Sequence, residues 1–197
     1  MARFGLKLVL CLLLALAAGF AFLAIRSGDA IYSFYEWVSP ARFQQYDKLI
    51  EAVANEHQLD PMLVKAVVWR ESRFDRQKVG GAGERGLMQV SPKAANEWAR
   101  EHKIADFKID QLFDPKTNLE AGSWYLRRAI DHWQAESEPL PFALAEYNAG
   151  ASRAQRWVGA DGITTSEFLG NIDFPATRNY VRSILDRYAF YKRRGRM

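Results

Sequence analysis

Between residues 42 and 57, apolar Phe43, Tyr46, Leu49, Ile50 and Val53 recur at the three-and-four spacing that places one stripe along a helix. Asp60-Pro61 then supplies a capping residue followed by proline at the first helical position, which predicts a second helix running to about Ser72. Ser91-Pro92 repeats that signal and opens a helix through about His102. Asp114-Pro115 precedes another, near 119–133, with Ala121, Trp124, Tyr125, Leu126 and Ile130 facing inward. Pro139 and Pro141 break the chain before a short helix, PFALAEYN, that stops at Asn148-Ala149-Gly150, where glycine suits a helix end. Residues 159–170 read as irregular, and 176–191 as the last helix. The chain has no repeat and no alternating strand pattern of useful length, so the expected fold class is all-α.

Ahead of this domain lies LVLCLLLALAAGFAFLAI, residues 8–25, eighteen residues without a charge. A cleaved signal has an apolar core of about 7–15 residues, whereas a spanning helix needs roughly 17 or more. The length predicts an uncleaved N-terminal anchor over 1–26. Arg3 and Lys7 hold its short side in the cytoplasm, placing everything after Arg26 across the membrane. Cleavage after Ala15-Leu16-Ala17 would instead release a secreted protein. Residues 27–41 form a connector whose aromatics either lie near the membrane or pack on the domain, which spans 42–191. Residues 192–197 are a basic tail, solvated or drawn to anionic polymers or lipid.

Charge changes the picture only once it is located. The formal charge is +4, but eight basic residues flank the apolar segment or sit at the C-terminus. Between Ser27 and Asp186 there are 19 basic residues against 23 acidic ones, a net of −4. A nucleic-acid partner, which needs a basic face, is not expected. The single cysteine, Cys11, falls in the apolar segment, so the domain has neither a disulfide nor a thiol nucleophile. His57, His102 and His132 are isolated, and no metal or cofactor is expected.

The chemistry concentrates in VKAVVWRESRFDRQKVGGAGERGLMQ, residues 64–89. Glu71 stands at the far end of an apolar helix, where neighbours closing over its carboxyl favour the neutral form and raise its pKa. That is the state a general acid needs near neutral pH. Taken alone, a glutamate at a helix end is more often simply solvated. Gly81 to Gly86 matches GxGxxG, the dinucleotide fingerprint, but follows a helix where the fingerprint must follow a strand. A turn whose glycines let backbone approach a ligand closely is the better reading.

Five ordered blocks are more specific than any one residue: Glu71-Ser72, Gly86-Leu87-Met88-Gln89, Asn118 to Leu126, Ala145 to Gly150, and Arg178-Asn179-Tyr180-Val181. Together they resemble the soluble-type (family 1) lytic transglycosylases of bacterial cell walls. The resemblance implies a lysozyme-like, mostly helical fold with a groove for peptidoglycan glycan strands, held by the anchor in a bacterial inner membrane with the domain in the periplasm or cell-wall space. It implies Glu71 as the single catalytic acid/base, with Ser72 as an orienting hydroxyl and Met88 and Gln89 lining the groove. Tyr147 and Asn148 would stand near the acid and the sugar before the scissile bond, and Tyr180 would reach in from the last helix. For Met88 and Tyr180, plain core packing is the alternative.

Two positions depart from the family pattern. Ala176 stands where many relatives carry an acid two residues before the arginine, so Arg178 needs another partner. Glu146 stands where many relatives have alanine, and is either a second carboxylate near Glu71 or a solvated surface acid. The family's chemistry cleaves the bond between N-acetylmuramic acid and N-acetylglucosamine and closes a 1,6-anhydro ring without water. A goose-type lysozyme would deliver water to the same bond, with Glu146 or Asp75 to position it. A wall-binding module without turnover is the third reading.

Overall fold

Asp60 accepts a hydrogen bond from the backbone N–H of Met62 at 2.9 Å, Ser91 from Ala94 at 3.2 Å, and Asp114 from Thr117 at 2.9 Å. Each satisfies one of the donors left open at a helix start, and each is followed by a proline whose missing N–H is no loss there. The three helices that follow are α2 (Pro61–Ser72), α3 (Pro92–Glu101) and α4 (Pro115–His132). This computed structural model describes residues 7, 11–19, 22, 34–36, 38–159 and 163–195. They fall into two units, 1–43 and 44–197. In the first, residues 11–19 are helical with Leu12, Leu13, Leu14 and Leu16 exposed, and a short helix, Pro40–Gln44, straddles the division. Residues 8–10, 20–21 and 23–25 of the apolar segment lie outside the described residues. Among the described ones no helix is long and apolar enough to cross a membrane.

The second unit is built from helices, with only two isolated β-bridges among its described residues. Its first helix, α1 (Asp47–Glu56), is separated from Pro40–Gln44 by a turn at 45–46, where one continuous helix was expected. After α4 come α5 (Pro139–Ala149), α6 (Ala151–Val158), α7 (Thr165–Asn171) and α8 (Pro175–Arg194). The irregular stretch expected over 159–170 is therefore partly helical. Thr164 accepts from the Glu167 backbone N–H, and the Glu167 carboxylate accepts in return from that of Thr164, a capping box that fixes the start of α7.

Two helices are buried nearly all round, and they carry the candidate chemistry. In α2 every residue from Leu63 to Trp69 is buried, and in α5 every residue from Pro141 to Glu146. A helix without a polar face must be enclosed by others. Helix α2 packs against α1 and α8, while α5 packs against α4, α6 and α8. The one cation in the α2 run, Lys65, is 2% exposed and pairs with Asp47 of α1 at 2.7 Å. Helix α8 thus touches both buried helices and can place one side chain where their ends meet.

Candidate active site

Helix α2 ends at Ser72, and Arg73 follows in the left-handed conformation, φ 54°. Glu71 therefore occupies the last turn, at the edge of the enclosed helix. It stays partly open to solvent, while its carboxyl is crowded by protein. Burial pushes its pKa from the ordinary glutamate value of 4.5 to about 7. A hydrogen bond from the Tyr180 hydroxyl to Oε1, 2.6 Å, opposes the rise, as do the charges of Lys78 and Arg70, while Glu84 adds to it. Desolvation wins.

Tyr180 comes from the second turn of α8 and is 3% exposed. Tyr147, near the end of α5, is half-buried and donates its hydroxyl hydrogen to the Met88 carbonyl at 3.0 Å. Both phenols are pushed well above their ordinary value, first by burial and then by the charge of Glu71. One acid and two neutral phenols thus converge from α2, α5 and α8.

The loop between α2 and α3 closes the other side. Gly86 has φ +76°, and a Cβ there would lie 2.3 Å from Asn118 Nδ2 and 2.4 Å from the Leu112 carbonyl. Asn118, fully buried on α4, donates to the carbonyls of Arg85 (2.7 Å) and Leu112 (2.9 Å) and accepts from the Met88 N–H (2.7 Å). The loop folds on itself through Gly86 N–H to the Lys78 carbonyl, 2.9 Å, and through paired bonds between Arg85 and Val90. It returns to the acid when the Lys78 ammonium donates to the Glu71 carbonyl.

Sequence comparison supplies the family. Residues 48–167 match the model described as the transglycosylase SLT domain. The chain belongs to that family. Over 150 residues it is 30% identical to the soluble lytic murein transglycosylase of Salmonella typhimurium, covering 75% of this chain and 23% of that one. Its fold is similar to that of the lytic transglycosylase Slt from Pseudomonas aeruginosa, solved as an inactive mutant in which a glutamate is replaced by glutamine. That match has a TM-score of 0.68 at 25% identity, covering 87% of this chain and 25% of that one. The 70 kDa soluble lytic transglycosylase from Escherichia coli matches with a TM-score of 0.69 at 28% identity, over 75% of this chain and 24% of that one. The chain thus spans about a quarter of the length of these relatives.

Within this SLT domain the remaining expected site residues sit in different settings. Ser72 donates its hydroxyl hydrogen to the Val68 carbonyl one turn back, at 3.2 Å, so the hydroxyl serves its own helix. Met88 is fully buried with its side chain against Gly122, where a Cβ would lie 2.5 Å from the sulfur. The core reading describes that side chain, and the Met88 carbonyl is the part that meets Tyr147. Gln89 points its amide back into the loop, donating to the carbonyls of Lys78 and Gly86 at 3.0 Å each. Asn148 is exposed and accepts from Thr177 of α8 at 2.8 Å.

Glu146 is not the solvated surface acid. It is 9% exposed and accepts from the Trp133 indole N–H at 2.8 Å, with His132 Nδ1 at 2.7 Å. The helix turns position 146 away from solvent towards the end of α4, where an indole donor awaits it. Arg178 finds its partners in backbone, donating to the carbonyls of Gly170 and Ile172 in place of the acid missing at Ala176. Lys78 and Asn118 were not singled out as site residues. The buried Asn118 alone left a trace, since an asparagine in an apolar helix stripe demands partners.

Proposed function

We propose that this domain is a peptidoglycan lytic transglycosylase in which Glu71 acts as the single acid/base, cleaving the β-1,4 bond between N-acetylmuramic acid and N-acetylglucosamine. The observation that carries the reading is the Glu71 carboxyl, desolvated to a pKa of about 7 and fixed through one oxygen by Tyr180. The bond from Tyr180 leaves Oε2 for the substrate. Protonated Glu71 donates to the glycosidic oxygen, and the bond from that oxygen to C1 of the muramyl residue breaks. The muramyl N-acetyl carbonyl supports the charge that develops at C1. Ionised Glu71 then takes the proton of the same sugar's C6 hydroxyl, whose oxygen closes on C1 to give the 1,6-anhydro end. A pKa near neutrality suits both halves of this cycle.

The surroundings favour ring closure over hydrolysis. A hydrolase needs a second group to orient water, and inverting glycosidases use a second carboxylate for it. Glu146 is committed to Trp133 and His132, and exposed Asp75 accepts from the Gln77 N–H at 2.9 Å. The naming of the relatives as lytic murein transglycosylases supports the same reaction, and the inactive relative that carries glutamine for glutamate supports an acid in the catalytic role. The apolar segment at 8–25 acts as the membrane anchor of this reading and sets the domain in the periplasm or wall space.

The test is mass analysis of purified wall digested by the full chain and by Glu71→Gln. The chain should release muropeptides with anhydro ends, one water lighter than reducing ends, and Glu71→Gln should release none while keeping its helical spectrum. Reducing ends from the unsubstituted chain would assign hydrolysis, and substantial turnover by Glu71→Gln would remove Glu71 from the role.

A further inference from the structure

A pocket of about 750 Å³ opens beside Tyr147 and has three walls. Helix α3 turns Lys93, Asn96, Glu97 and Arg100 towards it, a one-face stripe opposite its buried Ala94, Ala95, Trp98 and Ala99. Helix α4 contributes Tyr125 and Arg128, and the Tyr125 ring lies 5.8 Å from that of Tyr147. Gly150, φ +88°, between α5 and α6, and Arg153 in the first turn of α6 complete the pocket.

Four cations and two acids line this space, and the acids are already engaged. Glu97 pairs with Arg128 at 2.6 Å, and Glu146 is held by Trp133 and His132. Arg153 donates to the Ala149 carbonyl at 3.3 Å and stacks over Phe174. Lys93 and Arg100 are different: both are exposed, and among the described residues neither side chain has a hydrogen bond or ion pair. They stand seven residues apart on one helix face, about 10 Å at 1.5 Å per residue. Two cations left without acids in a concave space raise the local concentration of anions. A neutral sugar offers them hydrogen-bond acceptors but no counter-charge.

The anionic groups of a glycan strand are carried on the lactyl arm of its muramyl sugars. We infer that this pocket is an anion subsite in which Lys93 and Arg100 take a carboxylate borne by that arm, either on the stem peptide or on the bare lactyl group. The inference rests on the peptidoglycan reading of Glu71. The pocket would make this enzyme select strands by what hangs from them, separately from the cleavage of the bond.

Binding decides it. In the full chain carrying Glu71→Gln, which keeps the strand uncut, the added pair Lys93→Gln and Arg100→Gln is compared with its parent on three tetrasaccharides. One is peptide-bearing, one is stripped by amidase to the free lactyl carboxylate, and one is chitotetraose, which carries no acid. The pair should weaken binding of the peptide-bearing strand about tenfold, the lower end for hydrogen bonds to charged groups. Chitotetraose should be unaffected. A loss confined to the peptide-bearing strand would place the anion on the peptide, and a matching loss on the stripped strand, where amidase has freed the lactyl carboxylate, would show that the cations take that group as well. Equal affinities before and after substitution, or an equal loss on all three ligands, would overturn the subsite. If the unsubstituted chain leaves wall uncut while these cations still hold the charged strands, the subsite stands and the proposed reaction falls.

Discussion

Tyr180 and Glu71, 109 positions apart in the chain, meet at 2.6 Å with the tyrosine donating to Oε1 of the carboxyl. The contact requires α8 to lie along α2, and it ties the acid to a side chain that is itself 3% exposed. It also sets two effects against each other. Burial penalises the carboxylate, while the phenol and the nearby cations favour it, and the outcome near 7 shows that burial dominates.

Tyr180→Phe keeps the ring and removes the opposing bond. The carboxylate loses a donor, so its pKa rises and the alkaline limb of kcat/KM against pH moves to higher pH. Stability should fall by about 1 kcal/mol, the net worth of one hydrogen bond. Cleavage should slow about tenfold or more, since an unfastened carboxyl samples wrong geometries. A pH–rate profile is the check, and an unmoved limb would show that the phenol does not act on Glu71.

The raised pKa also has a sign in stability. Folded Glu71 holds its proton up to about pH 7, whereas unfolded glutamate releases it near 4.5. The folded state binds more protons between those values, so this site's contribution is fully present below about 4.5 and is lost as pH rises to 7. The shift corresponds to about 3 kcal/mol. Glu71→Gln should therefore be more stable than the unsubstituted chain at pH 8, with the gap closing towards pH 4.5. Denaturant unfolding at the two pH values measures it.

What was legible in the sequence follows the range of the forces involved. Helix starts at Asp60, Ser91 and Asp114 were readable because cap and proline act within three residues. The Thr164 and Glu167 box is equally local, and its signal was present in a stretch read as irregular. Helix α6 carries no such mark, because it starts directly from Gly150, which also ends α5. Glu71 stood out through its place after an apolar run. The direction of Glu146 depends on Trp133 and His132 of another helix, which periodicity does not reveal. Lys78 reaches Glu71 only through the path of the loop.

That path yields a paired prediction. Lys78 lowers the pKa of Glu71 and Glu84 raises it, so Lys78→Met should move the alkaline limb of the rate profile up and Glu84→Gln should move it down. Both displacements act through charge across a partly solvated loop, so both should shrink at 1 M salt, where the Debye length is about 3 Å. Shifts of the same sign would mean that the loop acts on the acid through its shape.

The glycines of that loop are not equivalent, and alanine substitution separates them. At Gly81 a Cβ would have nothing within 4 Å, so Gly81→Ala should change stability by less than about 0.5 kcal/mol. At Gly86 the backbone is left-handed, and the added carbon would strike Asn118 and a backbone carbonyl that have no room to retreat. Gly86→Ala should cost about 3 kcal/mol or more. Asn118→Ala tests the other side of the same contact, leaving the Met88 N–H and the Leu112 carbonyl without the side chain that meets them and the Arg85 carbonyl with only its bond from Val90, at about 3 kcal/mol or more. Because the Met88 carbonyl receives Tyr147, cleavage should fall together with stability in Gly86→Ala and Asn118→Ala, and in Gly81→Ala neither should move. Thermal unfolding and wall turbidity measured on the three variants check the set. Equal effects at Gly81 and Gly86 would mean that the loop is not held by Asn118.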